Sequence, residues 1–145
     1  MKYYFDTNSD GYLSKKERNN AALISAKYWM ISSFKGIKYS PNLKYLDCGH
    51  NNLTSLDLSG NKKLEKLNCD YNKLTALSTG NTPKLRTLYC GNNSLKTLNV
   101  SKSRSLQKLF CKPNKLTKLD VRKNKKLTAK GGIIDADKDV KIIKK

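Results

Sequence analysis

The sequence predicts a repeat solenoid. Short parallel strands stack into one concave sheet, irregular connections return over the convex side, and a short helix stands at the N-terminal end. Two observations carry this reading. Leu43, Leu64, Leu85, Leu106 and Leu127 recur 21 residues apart, and six further columns keep that spacing over four copies. The unit reads L-x-x-L-x-C-x-x-N-x-L-x-x-L-x-L/V, and self-similarity at one such period marks stacked supersecondary units. Composition agrees: 37% of the residues are hydrophobic, enough for a modest core and too regularly placed for a disordered chain.

Each column has a physical task. Leu46 and Cys48 are two residues apart, as are their copies Leu67 and Cys69, Leu88 and Cys90, Leu109 and Cys111. In an extended segment such a pair points to one face, so this stretch is the strand of each coil. The leading Leu and the two that follow Asn fill the same flat core from other sides. The last column, Leu58, Thr79, Val100 and Val121, tolerates one polar member. A single coil cannot bury its apolar face alone, so neighbours must stack. Asn51, Asn72, Asn93 and Asn114 fall where the chain leaves the strand, and their amides can satisfy the backbone groups that the turn frees. The four cysteines share one inward column. Stacked Cβ vectors run parallel, which resists disulfide geometry, so they are expected as small core residues. His50 is the only histidine and makes no metal site by itself. A Cys–His nucleophilic pair is not expected, because Cys48 belongs to the core.

The segments Leu43 to Cys48 (LKYLDC) and Asn52 to Asn61 (NLTSLDLSGN) make residues 31–128 resemble the bacterial leucine-rich-repeat proteins of the internalin J type, whose 21-residue units carry cysteine in the strand. The resemblance implies an exported, cell-surface scaffold for adhesion or protein recognition, without catalysis. The first residues, Met1 to Phe5 and then Asp6, have neither the apolar region nor the cleavage site of a secretory signal. That points to a cytosolic protein or to a piece of a longer exported chain.

Four segments are expected: a calcium loop and helix over 1–25, an N-terminal cap over 26–42, the repeats over 43–128 and a C-terminal cap over 129–145. The stretch from Asp6 to Glu17 matches the twelve-position EF-hand loop. Asp6, Asn8 and Asp10 stand at positions 1, 3 and 5, Gly11 at the tight turn, and Tyr12 offers its carbonyl. Ser14 holds position 9 and Glu17 closes position 12. A helix over Lys15 to Ser25 follows. Met1 to Phe5 is too short for an entering helix, and the alternative is an Asx-rich turn that caps the helix. Calcium here would clamp the cap rather than act as a sensor, since a sensor pairs two loops. In the cap, Ile31, Phe34 and Ile37 anticipate the Leu columns. At the other end the fifth unit decays, with Lys130 in place of the strand Leu and Gly132 in place of Cys. Ile133, Ile134, Val140, Ile142 and Ile143 are expected as closing strands in a solvated hairpin. Asp135, Asp137 and Asp139 alternate like half a calcium loop, with no turn Gly and no closing acid.

The outward strand positions are the candidate partner-binding residues. One column is Tyr45, Lys66, Thr87 and Lys108. The next is Asp47, Asn68, Tyr89 and Phe110, and the third is Gly49, Asp70, Gly91 and Lys112. These vary between repeats where the core does not, and Tyr89 beside Phe110 is expected to be exposed as an anchor for a protein partner. The net charge of +19, densest over residues 101–145, gives two alternatives. One is electrostatic binding of an anionic polymer, glycan ahead of nucleic acid, and the other is a structural piece of a longer surface protein. No run approaches the roughly 20 apolar residues of a membrane span. No paired acid–base set, phosphate loop or catalytic His constellation points to an enzyme.

Overall fold

The computed structural model describes residues 14–145. In chain order these form α1 (Lys15–Asn20), β1 (Leu23–Ser25), a 3-10 turn (Ile37–Tyr39), β2 (Tyr45–Asp47), β3 (Lys66–Asn68), β4 (Ala76–Ser78) and β5 (Thr87–Tyr89). There follow β6 (Thr97–Asn99), β7 (Lys108–Phe110), β8 (Lys118–Asp120), α2 (Lys125–Thr128), β9 (Ile133–Asp135) and β10 (Lys141–Ile143). Strands β1, β2, β3, β5, β7 and β9 make one six-stranded parallel sheet. Its register sets Ile24, Leu46, Leu67, Leu88, Leu109 and Ile134 in one inward row. The return limbs are more regular than the sequence suggested. There β4 pairs with β6 and β8 with β10, again in parallel, joining Leu77 to Leu98 and Leu119 to Ile142.

The core is the set of repeat columns laid on one another. The strand Leu and Cys columns, together with Leu43, Leu64, Leu85 and Leu106, are fully buried. Two polar ladders pin the corners. At the exit from the concave sheet the Asn93 amide donates to the carbonyls of Cys69 (3.0 Å), Cys90 (3.2 Å) and Gly91 (3.0 Å), and its Oδ1 accepts from Leu74 N (3.0 Å). Asn51, Asn72 and Asn114 repeat this pattern, so one side chain serves its own coil and the one before it. At the opposite corner stand Ser40, Asn61, Thr82, Ser103 and Asn124, all buried. Asn124 Nδ2 donates to Val100 O (2.9 Å) and Ser103 O (2.8 Å), and Asn61 bonds Ile37 O and Ser40 O in the same way. This second ladder accommodates the polar member of the last core column: Thr79 Oγ1 lies 2.7 Å from Ser103 Oγ, which is 2.9 Å from Thr82 Oγ1.

Both ends differ from expectation. Helix α1 stops at Asn20, and residues expected to continue it form β1 instead. Ile24 then stands in the strand-Leu row and Ala26 takes the place of Cys, with Ala26 N donating to Asp47 O at 2.7 Å as Cys48 N does to Asn68 O at 2.8 Å. The helix gives way because Ile24 and Ala26, both buried, gain more by closing the core than by continuing a short exposed helix. At the C-terminus β9 and β10 do not pair with each other as a hairpin. They add one more coil, parallel to β7 and β8. The row is taken up by Ile134 and Ala136, not Lys130 and Gly132, because α2 occupies extra residues at the corner and a helix advances less per residue than a strand.

Candidate functional site

Coil geometry puts the outward residues in straight rows. Tyr45, Lys66, Thr87, Lys108 and Ile133 form one, and Asp47, Asn68, Tyr89, Phe110 and Asp135 the next. Neighbouring strands lie about 4.8 Å apart, close to the spacing of stacked rings. Tyr89 and Phe110 use this directly, with centroids 4.7 Å apart and planes within 5° of parallel. Each half-buries the other, so they are less open than the sequence suggested. Lys66 Nζ lies 5.3 Å from the Tyr45 ring and 5.6 Å from the Tyr89 ring, so one ammonium joins the two rings by cation–π attraction. The result is a continuous column, Tyr45–Lys66–Tyr89–Phe110, across four coils, with exposed Lys108 beside it.

The third outward row borders this column. Asp70 Oδ1 accepts from Gly91 N at 2.6 Å, Asp47 Oδ1 from Gly49 N at 3.1 Å, and Asn68 Oδ1 from Asp70 N at 3.0 Å. A Cβ at Gly91 would collide with the Lys112 carbonyl, so this position requires glycine for close approach. Burial pushes the Asp70 carboxyl up to about 6, against the pull of the Gly91 N–H, and the nearby Asp47 adds to the rise. Burial, then Asp47, also raises the Tyr45 phenol. Lys112 Nζ meets Asp135 Oδ1 at 2.8 Å, which raises the Lys112 ammonium. Tyr45, Asp47, Lys66, Asn68, Asp70, Tyr89, Lys108, Phe110 and Lys112 therefore share one face.

A further group went unread in the sequence. His50 stacks on Tyr71 (centroids 4.1 Å, planes 12° apart) and packs against Tyr28 at 4.3 Å, making a ring ladder on the rim beyond the concave sheet. Tyr28 is 63% exposed and Tyr71 50%, so this is open aromatic surface. Tyr28, His50, Tyr71 and Asn92 all take left-handed backbone, with φ between 49° and 64°. That conformation is uncommon outside glycine, and its repetition turns each ring out of the coil the same way. The signal is in the repeat: His50 and Tyr71 are 21 residues apart, but one imidazole and one phenol share a position without sharing a residue type.

The cysteines form a column of free, buried thiols. Cys48 and Cys69 point their sulfurs at Asn68 O and Tyr89 O, 3.4 Å away. Burial pushes Cys48 and Cys111 up to about 12 and also raises Cys69 and Cys90 well above the usual thiol range, so no thiolate forms at neutral pH. Of the expected calcium ligands, Asp6, Asn8, Asp10 and Tyr12 lie outside the described residues. Glu17 is described. It is buried at the third position of α1 in a capping box, accepting from Ser14 N at Oε2 (2.8 Å) while its own N–H donates to Ser14 Oγ (3.2 Å). Its carboxylate turns back toward the chain before the helix, as a loop-closing ligand must. A capping turn requires the same arrangement. Among the described residues no group of three or more His, Cys, Asp or Glu could hold a metal ion.

The stacked coils define a leucine-rich-repeat solenoid. Residues 41–80 match a family of leucine-rich repeats in two copies, and residues 112–133 match a leucine-rich repeat. A solved leucine-rich-repeat protein from Leptospira interrogans is 20% identical, with a TM-score of 0.54 over 98% of this chain and 42% of its own. The functional domain of InlJ from Listeria monocytogenes, which includes a cysteine ladder, is 24% identical over 90% of this chain and 42% of its own, with a TM-score of 0.37. The chain thus spans less than half the length of both. No curated protein matches it. Among the described residues, no helix is long and apolar enough to cross a membrane.

Proposed function

We propose that this chain is a non-catalytic recognition scaffold of an exported, cell-surface protein, which binds a protein partner on its concave face. The column Tyr45–Lys66–Tyr89–Phe110 carries the reading: aromatic rings stacked on a sheet and bordered by charge are the surface that protein partners use as anchors. The rim rings Tyr28, His50 and Tyr71 extend that surface. Calcium, held by Asp6, Asn8, Asp10, the Tyr12 carbonyl and Glu17, clamps the N-terminal cap on this reading; the capping box at Glu17 is compatible with it. The test compares proteins retained from cell-surface extracts, at salt high enough to screen surface charge, by the wild type and by Tyr89→Ala/Phe110→Ala. A partner kept by the wild type and lost by the variant is the expected result. Equal retention by both refutes the concave site. Calorimetric titration with calcium tests the clamp separately: absence of heat and of a raised melting temperature removes calcium and leaves the concave face untouched.

A further inference from the structure

The corner between the return limb and the concave sheet is built from five copies of one four-residue turn. Leu43 N donates to Ser40 O at 3.2 Å, Leu64 N to Asn61 O at 3.0 Å, and Leu85 N to Thr82 O at 3.1 Å. Leu106 N to Ser103 O (3.0 Å) and Leu127 N to Asn124 O (2.9 Å) complete the series. The first residue of every turn is a buried rung of the second polar ladder, and the last is a buried core Leu. Both ends of each turn are therefore fixed, and the two central residues lie on the outside of the corner, exposed except for the half-buried Asn42 and Ser105. Those central positions hold Lys62 and Lys63, Lys84, Arg104, and Lys125 and Lys126, all exposed, and no acidic residue.

Among the described residues these cations also have no partner of opposite sign. The ion pairs among the described residues are Lys38–Asp57, Lys112–Asp135 and Arg122–Asp120. None includes a turn-tip cation; Lys63 Nζ instead donates to Asn42 Oδ1 at 2.6 Å. Four successive coils thus present unpaired positive charge along one straight corner, stepped by about 4.8 Å per coil. The solenoid fixes the spacing, so the row is preorganised and its repulsion is already met by the fold.

We propose that this row of turn tips is a second binding surface, separate from the concave face, for a linear acidic polysaccharide. The step between coils is close to the length of one sugar residue in an extended chain. Lysine, which supplies five of the six cations, binds as a point charge and does not demand the planar fork geometry that phosphate recognition by Arg exploits. No aromatic residue occupies a central turn position to stack on a base, whereas single-stranded nucleic acid uses such platforms. Duplex nucleic acid carries a charge about every 1.7 Å of axis, much denser than this row.

The test uses the full chain with fluorescein-labelled heparin as probe, read by anisotropy over a salt series. Tight binding that weakens steeply with salt is expected. Lys63→Glu/Lys84→Glu/Lys126→Glu should weaken it about ten-fold or more near physiological salt. A control with the same charge change at the exposed terminal coil, Lys138→Glu/Lys141→Glu/Lys144→Glu, should weaken it less than about three-fold. Tyr89→Ala/Phe110→Ala should leave it unchanged, which separates this surface from the concave one. Circular dichroism melts check folding, and Lys→Gln versions of the three turn positions replace any variant that fails to fold. Equal losses in both triple variants would reduce the effect to net charge and overturn the proposal. So would a matched DNA duplex binding at least as tightly as heparin at the same salt.

Discussion

The Asn ladder makes a quantitative claim about stability. In Asn93→Ala four hydrogen bonds disappear, but their partners do not suffer equally. Cys69 O still accepts from Asn72 Nδ2 (3.2 Å), Cys90 O from Asn114 Nδ2 (2.9 Å) and Gly91 O from Tyr71 N (3.1 Å). Leu74 N alone loses its acceptor, Asn93 Oδ1. An orphaned buried N–H costs about 1–3 kcal/mol, and the lost second bonds to carbonyls a few tenths each, so Asn93→Ala should cost about 2–4 kcal/mol. Asn93→Asp keeps the acceptor for Leu74 N but turns a carboxylate toward three carbonyls, which raises its pKa above the unfolded value. Such a group binds its proton more tightly when folded, so the variant's stability is highest at low pH and falls as pH rises through the native pKa. Urea unfolding followed by circular dichroism from pH 4 to pH 8 reads both effects. A cost below about 0.5 kcal/mol for Asn93→Ala, or a pH-independent Asn93→Asp, would refute the ladder as the corner's fastening.

Other outcomes follow from the same geometry. Asp70, held at about 6 against about 3.9 unfolded, contributes stability that is fully present below about pH 4 and lost as pH rises through 6; Asp70→Asn, which keeps an acceptor for Gly91 N, should flatten the urea midpoint across that window. Leu88→Ala, in a fully buried central coil, should cost about 2–5 kcal/mol in urea unfolding. Thr79→Val, matching Leu58, Val100 and Val121 in its column, should cost less than about 1 kcal/mol, because Ser103 Oγ keeps Thr82 Oγ1 as a partner. The four thiols should resist a disulfide reagent in the native state and react together on unfolding; fast labelling of one without loss of structure would contradict the buried column.

The concave sheet was legible because its two inward columns do not vary over the four full repeats: Leu46 and Cys48 recur unchanged, and a period of two within a period of 21 leaves one register. The outward rows follow from that register, so the partner-binding candidates fell on one face. Of the return-limb strands, β4, β6 and β8 were missed because only their central Leu repeats, flanked by Ala, Ser, Asn, Lys and Asp, which carry no strand signature, with Thr97 the one exception. The second polar ladder was hidden by chemistry rather than spacing. Ser40, Asn61, Thr82, Ser103 and Asn124 lie one repeat apart, but they differ in side chain and share only the ability to bond a carbonyl at the turn. The ends were hardest, because a coil that grows from 21 to 25 residues leaves its row identity to packing: nothing before Ile134 announces that it, and not Lys130, continues the line of Leu109.

The rungs that tie each coil to its neighbour also set how the molecule would come apart under load. Among the described residues each strand pairs only with strands of adjacent coils, so tension between the two ends would peel turns away singly instead of rupturing the whole. Each turn freed would lengthen the chain by about 70 Å, some 21 residues at about 3.5 Å, while those behind it stayed closed. A tether made this way would yield in equal steps and rewind from the turns still standing.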